Sequence, residues 1–247
     1  MRIGLTTSPA PERSRPDAVA ADLRDAILRG DYRPGTRLPA ERELAVRLGV
    51  GRSSVREAVA RLAQLGLVEI RHGGGAIVRP VADASVEVLR HLLVLDGEPD
   101  LRLLGEFLEV SELLLTAMVR FAVARATDEE LARAHELIER MTDPAGGDDE
   151  YFAAIEELVQ LIAEASGHLV LRLVRNGLRA ILNDEGRRGR AGRLRPPREE
   201  LLPVASDLHR AIDERDADAA VLAAQRLVRA GREQFLKRVE ARRARAR

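Results

Sequence analysis

Apolar residues recur every fourth position between Asp17 and Leu28, placing Val19, Leu23 and Ile27 on one helical face, and Gly30 ends the pattern. Pro34-Gly35 reads as a turn. A short helix then follows Pro39 over Glu41 to Leu48, with Leu44 and Leu48 directed inward and Gly49 closing it. A third helix begins near Arg52. Its buried stripe is Val55, Ala58, Val59, Leu62 and Leu65, and Ser54-Val55-Arg56-Glu57 has the spacing of a capping box. The period then shortens to that of strands: Leu67 to Arg71 and Ala76 to Arg79, joined by His72-Gly73-Gly74-Gly75, a loop that glycines make easy. Three helices followed by a β-hairpin predict a winged helix-turn-helix over 17–80.

Residues 1–16 carry three prolines and no periodicity, and read as a flexible arm. Residues 81–84 form a short linker. Beyond them only helical patterns occur: Ser85 to Leu95, Leu101 to Arg125, Asp128 to Met141, Glu150 to Ser166, His168 to Leu182, Arg198 to Glu214 and Asp216 to Arg238. Gly186 to Pro197, rich in Arg, Gly and Pro, reads as a mobile loop. The expected fold is mainly α: a winged N-terminal domain, an all-α antiparallel bundle over 85–240, and a basic tail at 241–247.

Composition narrows the function. With 2% aromatic residues the chain is poorly equipped to stack on single-stranded nucleic acid, and without cysteine it has no disulfide, thiolate metal site or thiol nucleophile. The apolar run from Val110 to Ala126 is interrupted by Glu112 and Arg120, and the N-terminus lacks a secretory apolar core, so a cytoplasmic protein with no membrane partner is expected. The net charge of zero conceals an asymmetry: residues 1–80 hold fourteen arginines against nine acidic residues, a net +5. That is the signature of an anion-binding module joined to a more acidic partner.

Arg52 and Arg56, four apart, lie above one another on the face opposite the apolar stripe, with Ser53 between them near the helix start. In a helix-turn-helix this part of the second helix enters the major groove, where arginine pairs bidentately with guanine. Ser53 and Ser54 are short enough to bond phosphate. Any surface helix turns arginines outward, so the pair alone decides nothing. The preceding short helix, the tight turn at Gly49 and the basic wing at Arg71-His72-Gly73 together point to double-stranded DNA.

The stretch GDYRPGTRLPAERELAVRLGVGRSSVREAVARLAQLGLVEIRHGGGAIV, Gly30 to Val78, resembles the DNA-binding domain of GntR-family bacterial transcriptional regulators. IAEASGHLVLRLVRNGLRAIL, Ile162 to Leu182, and the region around Asp216 resemble the effector domain of the FadR subgroup. The resemblance implies that Arg42, Arg52 and Arg56 face the operator, that Ser53 and Ser54 lie beside phosphates, and that His72 and Gly73 form the wing tip in the minor groove. Gly51 departs from the serine or threonine usual there. It further implies a homodimer on a palindromic operator, with the bundle binding an effector whose commoner action is to release DNA, as in a repressor.

Many members of this subgroup hold a metal in the bundle. The four corresponding positions here are Ile155, Val159, Ala205 and Leu227, none able to ligate a cation, and the arginine that often receives a carboxylate effector aligns with Ser111. No cofactor is expected. The remaining histidines, 91, 135, 168 and 209, match none of these positions and read as structural or surface groups. Ile155 and Val159 share a face with Phe152 and Ile162, which suits either a filled core or an apolar effector pocket. Fatty-acid-responsive members also lack the metal ligands and bind long-chain acyl-CoA, so the resemblance favours a small hydrophobic effector of that kind. Burying about ten methylenes at about 0.8 kcal/mol each exceeds the roughly 1 to 3 kcal/mol of typical allosteric coupling. Two other readings stand beside it: a constitutive or architectural dimer with a filled bundle, and a metal- and carboxylate-responsive regulator. No nucleophile, base and orienting group come together by spacing, and the sole lysine is Lys237, so an enzyme is not expected.

Overall fold

The computed structural model describes residues 15–71, 74–186 and 198–246, divided into two compact units at Asp96/Gly97. In the first unit α1 (Arg15–Arg29), α2 (Glu41–Leu48) and α3 (Arg52–Gln64) precede β1 (Val68–Arg71) and β2 (Gly75–Val78). Val19, Leu23 and Ile27 of α1 meet Leu44 of α2 and Val55, Ala58, Val59 and Leu62 of α3 in one core, closed by Leu67, Val68 and Val78. Leu48, expected inward, is exposed. Gly49 takes a left-handed conformation (φ 63°), and its N–H caps α2 on the carbonyls of Ala45 and Val46. At Gly66 (φ 74°) a Cβ would lie 3.2 Å from Ala84 Cα and from the Asp83 carbonyl, so bulk is excluded where the chain turns into the wing.

The wing is antiparallel, with Val68 opposite Val78 and Arg71 opposite Gly75. A third segment that periodicity did not suggest joins it: Leu38 N–H bonds the Ala76 carbonyl at 2.8 Å and Val78 N–H the Thr36 carbonyl at 2.9 Å. The proposed Ser54-Glu57 capping box does not form. Gly51 is the N-cap of α3, extended and without a side-chain cap, which makes Ser54 the third helical residue.

The segment read as linker and helix, 81–95, instead completes the first unit. It forms 3₁₀ turns at Val81–Asp83 and Val86–Val88, a single turn α4 (Leu89–Leu92) and the short strand β3 (Val94–Leu95). Val88 is buried in the first core with Leu92 packed against it, Ser85 N–H bonds the Leu65 carbonyl at 2.9 Å, and Arg29 pairs with Asp96 at 2.9 Å. The division therefore falls some twelve residues later than the expected 84/85, because the apolar spacing of Val88 and Leu92 serves the first core.

After β4 (Glu98–Pro99) the second unit is helical: α5 (Leu101–Arg125), α6 (Asp128–Thr142), α7 (Asp148–Ala165), α8 (Leu169–Gly186), α9 (Arg198–Asp213) and α10 (Ala217–Ala246). α10 packs on α5 and α9, while α7 packs on α5 and α6. Glu112, buried on α5, is held by Arg229 of α10 at 3.0 Å and Arg232 at 3.5 Å. The expected basic tail is a continuation of α10 through Ala246, as an Ala/Arg/Glu sequence of high helix propensity favours. The expected N-terminal arm up to residue 14, the wing tip His72-Gly73 and residues 187–197 of the Arg/Gly-rich loop lie outside the described residues. No helix among those described is long and apolar enough to cross a membrane.

A capping box does occur at the start of α6, where Thr127 Oγ1 accepts from Glu130 N–H and Glu130 accepts from Thr127 N–H. Thr127→Ala should cost about 1 kcal/mol and lower the thermal midpoint of the helical unit by about 2 to 4 °C. Circular dichroism melts check this, and an unchanged midpoint contradicts it.

Candidate functional site

The N-terminal half of α3 has one buried and one free face. Val55, Ala58 and Leu62 are fully buried, whereas Arg52, Ser53 and Arg56 are exposed and Ser54 half-buried. Because Gly51 supplies no side-chain cap, the first N–H groups of α3 have no capping acceptor, which makes this helix start a favourable place for a phosphate oxygen. Arg42 on α2 is exposed, and neither it nor Arg52 has an acidic partner among the described residues. Arg56 approaches Glu41 only at 3.8 Å with both side chains accessible, a pairing too weak to keep it from a base. The structure thus gathers Arg42, Arg52, Ser53, Ser54 and Arg56 on α2 and α3, while His72 and Gly73 are not described. Arg37 was not singled out in the sequence. Its backbone bridges Ile77 and its side chain lies along Gly75, so it adds a cation beside the wing.

In the second unit α5, α6, α7, α9 and α10 line a partly open pocket of about 210 Å³. Ile155, Val159 and Leu227 stand on its wall, with Val119 and Ile162. Ala205 does not. It is buried against Ile138 and Ile212 beside the cavity, and Ser111 turns its hydroxyl back to the Phe107 carbonyl at 3.0 Å. Three of the five expected effector positions therefore converge and two do not. Among the described residues the wall is apolar apart from Glu130, which the α6 capping box engages.

Behind this wall sits a pair that sequence alone left apart. His135 of α6 and His209 of α9 lie with ring centroids 4.7 Å apart and planes 7° from parallel, joined through their Nδ1 atoms, and His135 Nε2 contacts Asp213 at 3.0 Å. Burial, and then the neighbouring His135, hold the His209 pKa below its usual value, against the opposing pull of Glu139 and Asp213. The folded state thus binds that proton less readily than the unfolded chain, so stability is present above the ordinary value near 6.5 and is lost as pH falls below it. His209→Asn should flatten the fall in melting temperature between about pH 7.5 and 5.5. An unchanged slope would contradict this assignment.

A basic helix-turn-helix with a wing, joined to a helical unit that carries an apolar pocket, defines a DNA-binding transcriptional regulator with an effector domain. Residues 16–78 match the family described as bacterial regulatory proteins, gntR family, and residues 106–230 match the FCD domain. The chain belongs to the GntR family, in the FadR subgroup, and it is a regulator and not an enzyme. Mce2R of Mycobacterium tuberculosis is 32% identical over 177 residues, 71% of this chain and 73% of that protein. The fatty acid metabolism regulator protein of Salmonella paratyphi B is 33% identical over 167 residues, 66% of this chain and 67% of its own. Rv0494 of M. tuberculosis, an HTH-type transcriptional regulator, reaches 44% identity over 121 residues, and the match spans about half, 49%, of each chain. Among solved structures, Lar, which controls expression of the Listeria monocytogenes agr system, shares the fold at TM-score 0.50 and 16% identity, over 94% of this chain and 99% of that one.

Proposed function

We propose that the protein binds a palindromic operator as a homodimer and that a small hydrophobic metabolite in the helical unit controls its DNA affinity. The observation that carries this reading is the apolar cavity bounded by Ile155, Val159 and Leu227: these positions are neither filled as a dimerisation core would be nor furnished with metal ligands. Arg42, Arg52, Ser53, Ser54 and Arg56 would read and anchor the DNA, with His72 and Gly73 at the wing tip. An exposed apolar face on α8, formed by Leu169, Val170, Leu173 and Val174, is larger than an isolated surface residue requires and supports self-association. A hydrophobic effector is also in keeping with the fatty acid metabolism regulator among the relatives. Ligand binding would shift the population toward dimers that release DNA.

A thermal-shift and operator-release screen against acyl-CoAs, free fatty acids, small carboxylates and divalent metals tests the reading, with sedimentation giving the oligomeric state. An apolar compound should raise the melting temperature and release the operator from a dimer. Response only to a metal or a small carboxylate, or to nothing, would overturn it.

A further inference from the structure

We propose that Arg37 is a further specificity-determining residue: carried on the glycine face of the wing, its guanidinium enters the minor groove of the operator and selects A·T over G·C pairs there. This rests on the reading above that the winged unit holds the operator. The sheet positions the side chain. Arg37 faces Ile77 in an antiparallel bridge and Ile77 faces Glu69 across the hairpin, so the three form one row on the face opposite buried Leu38, Ala76 and Val78. Arg71 and Gly75 form the next row toward the hairpin end, where Gly75 presents no side chain. Arg37 lies along that gap. A Cβ on Gly75 would meet its Cδ at 3.5 Å and its Nε at 3.9 Å, and one on Gly74 would meet its Nη2 at 3.9 Å and Arg71 Cβ at 3.0 Å. The guanidinium thus crosses bare backbone toward the side of Arg71.

Charge says what this side chain is for. Glu69, the acidic group in the same row, accepts from Arg71 at 3.4 Å on one oxygen and 3.3 Å on the other. Arg37 is exposed and has no acidic partner among the described residues. Two guanidiniums share one carboxylate at the end of an exposed hairpin, so one cation there stays unneutralised and available to an anionic surface. The shape of the support narrows which surface. Gly74 and Gly75 keep the ribbon thin, and a minor groove about 6 Å wide admits a thin ribbon with one arginine where it excludes a helix. In that groove A·T pairs show only acceptors, which suit guanidinium donors, whereas G·C adds the guanine amino group, a donor that opposes them. Narrow A·T-rich grooves also concentrate the negative potential that draws arginine in.

The test uses the full-length protein and duplexes that it enriches from a randomised pool. Wild type should enrich A·T pairs at a fixed position in each half-site, and Arg37→Met, which keeps an apolar stem over Ile77, should fold with an unchanged melting temperature and no longer enrich them. At that position A·T is then replaced in both half-sites by G·C or by inosine·cytosine, which has the major-groove edge of G·C but lacks the minor-groove amino group. Fluorescence anisotropy should show wild type binding the G·C duplex about tenfold more weakly and the inosine duplex as tightly as the parent, while Arg37→Met binds all three alike. An inosine duplex as weak as the G·C one would place the readout in the major groove. Equal loss on all three duplexes in Arg37→Met would make Arg37 a phosphate contact, and an unaltered preference would make it mere cover for Ile77; each of these overturns the proposal. Arg52→Ala is measured alongside. If it alone changes binding, the assignment of Arg37 falls by itself, and if neither variant does, the winged face is not the operator surface and both readings fall.

Discussion

Raising salt from about 50 to about 200 mM should weaken operator binding roughly a thousandfold. The argument rests on how few of the outward cations are already neutralised. Arg33, Arg37, Arg42 and Arg52 have no acidic partner among the described residues, and Arg56 and Arg47 only approach Glu41 and Glu43 at 3.8 Å. Three phosphates per protomer, about six per dimer, suffice for a slope of about −5 in log affinity against log salt. Arg42→Ala, which removes one phosphate contact from each protomer of the proposed dimer, should reduce that slope by about two units across all sequences, the behaviour of a phosphate contact. Arg52→Ala should instead relax preference at one operator position, at a cost of about 1 to 3 kcal/mol for the cognate base. Fluorescence anisotropy over a salt series with single-base operator variants measures both. A flat salt response would contradict the basic-face argument, and intact specificity in Arg52→Ala would remove that residue from base reading.

What the sequence disclosed, and what it withheld, follows from the range of the signals. Val19, Leu23 and Ile27, or the stretch Asp128 to Met141, announce helices because a helix is read from neighbours within one turn. Val88 and Leu92 show the same spacing but supply one helical turn and two contacts to the first core, a choice made by residues some twenty to seventy positions away. The strand pairing of Thr36 and Leu38 with β2, the clasp of Glu112 by Arg229, and the approach of His135 to His209 over 74 residues of chain are likewise tertiary events. The proposed effector site is half visible in the sequence for a further reason. Ile155 and Val159 share a face whether that face is packed or hollow, so periodicity identifies the wall and only the arrangement of α5, α9 and α10 around it identifies the space.

The wall also makes the second large prediction. Val159→Asp should abolish stabilisation by any hydrophobic effector and lower the melting temperature of the helical unit by more than about 5 °C near pH 7.5. An isolated carboxylate among Ile155, Leu158 and Ile162 must draw in water, shift a neighbour or take up a proton, each at a cost of several kcal/mol. In the third case its folded pKa rises above the unfolded value near 3.9. The folded state then holds the proton longer, so the penalty grows as pH rises through the interval and eases as pH falls. Because protonation of His209 acts in the opposite direction, the comparison is with Val159→Asn, which matches the shape without titrating. The gap between the two variants should narrow from pH 7.5 to 5. Hydrogen exchange along Val55 to Leu62 should be unchanged in both, because the first unit carries its own core. Full effector response in Val159→Asp would place the ligand elsewhere, whereas loss of protection in α3 would mean that the two units do not fold independently.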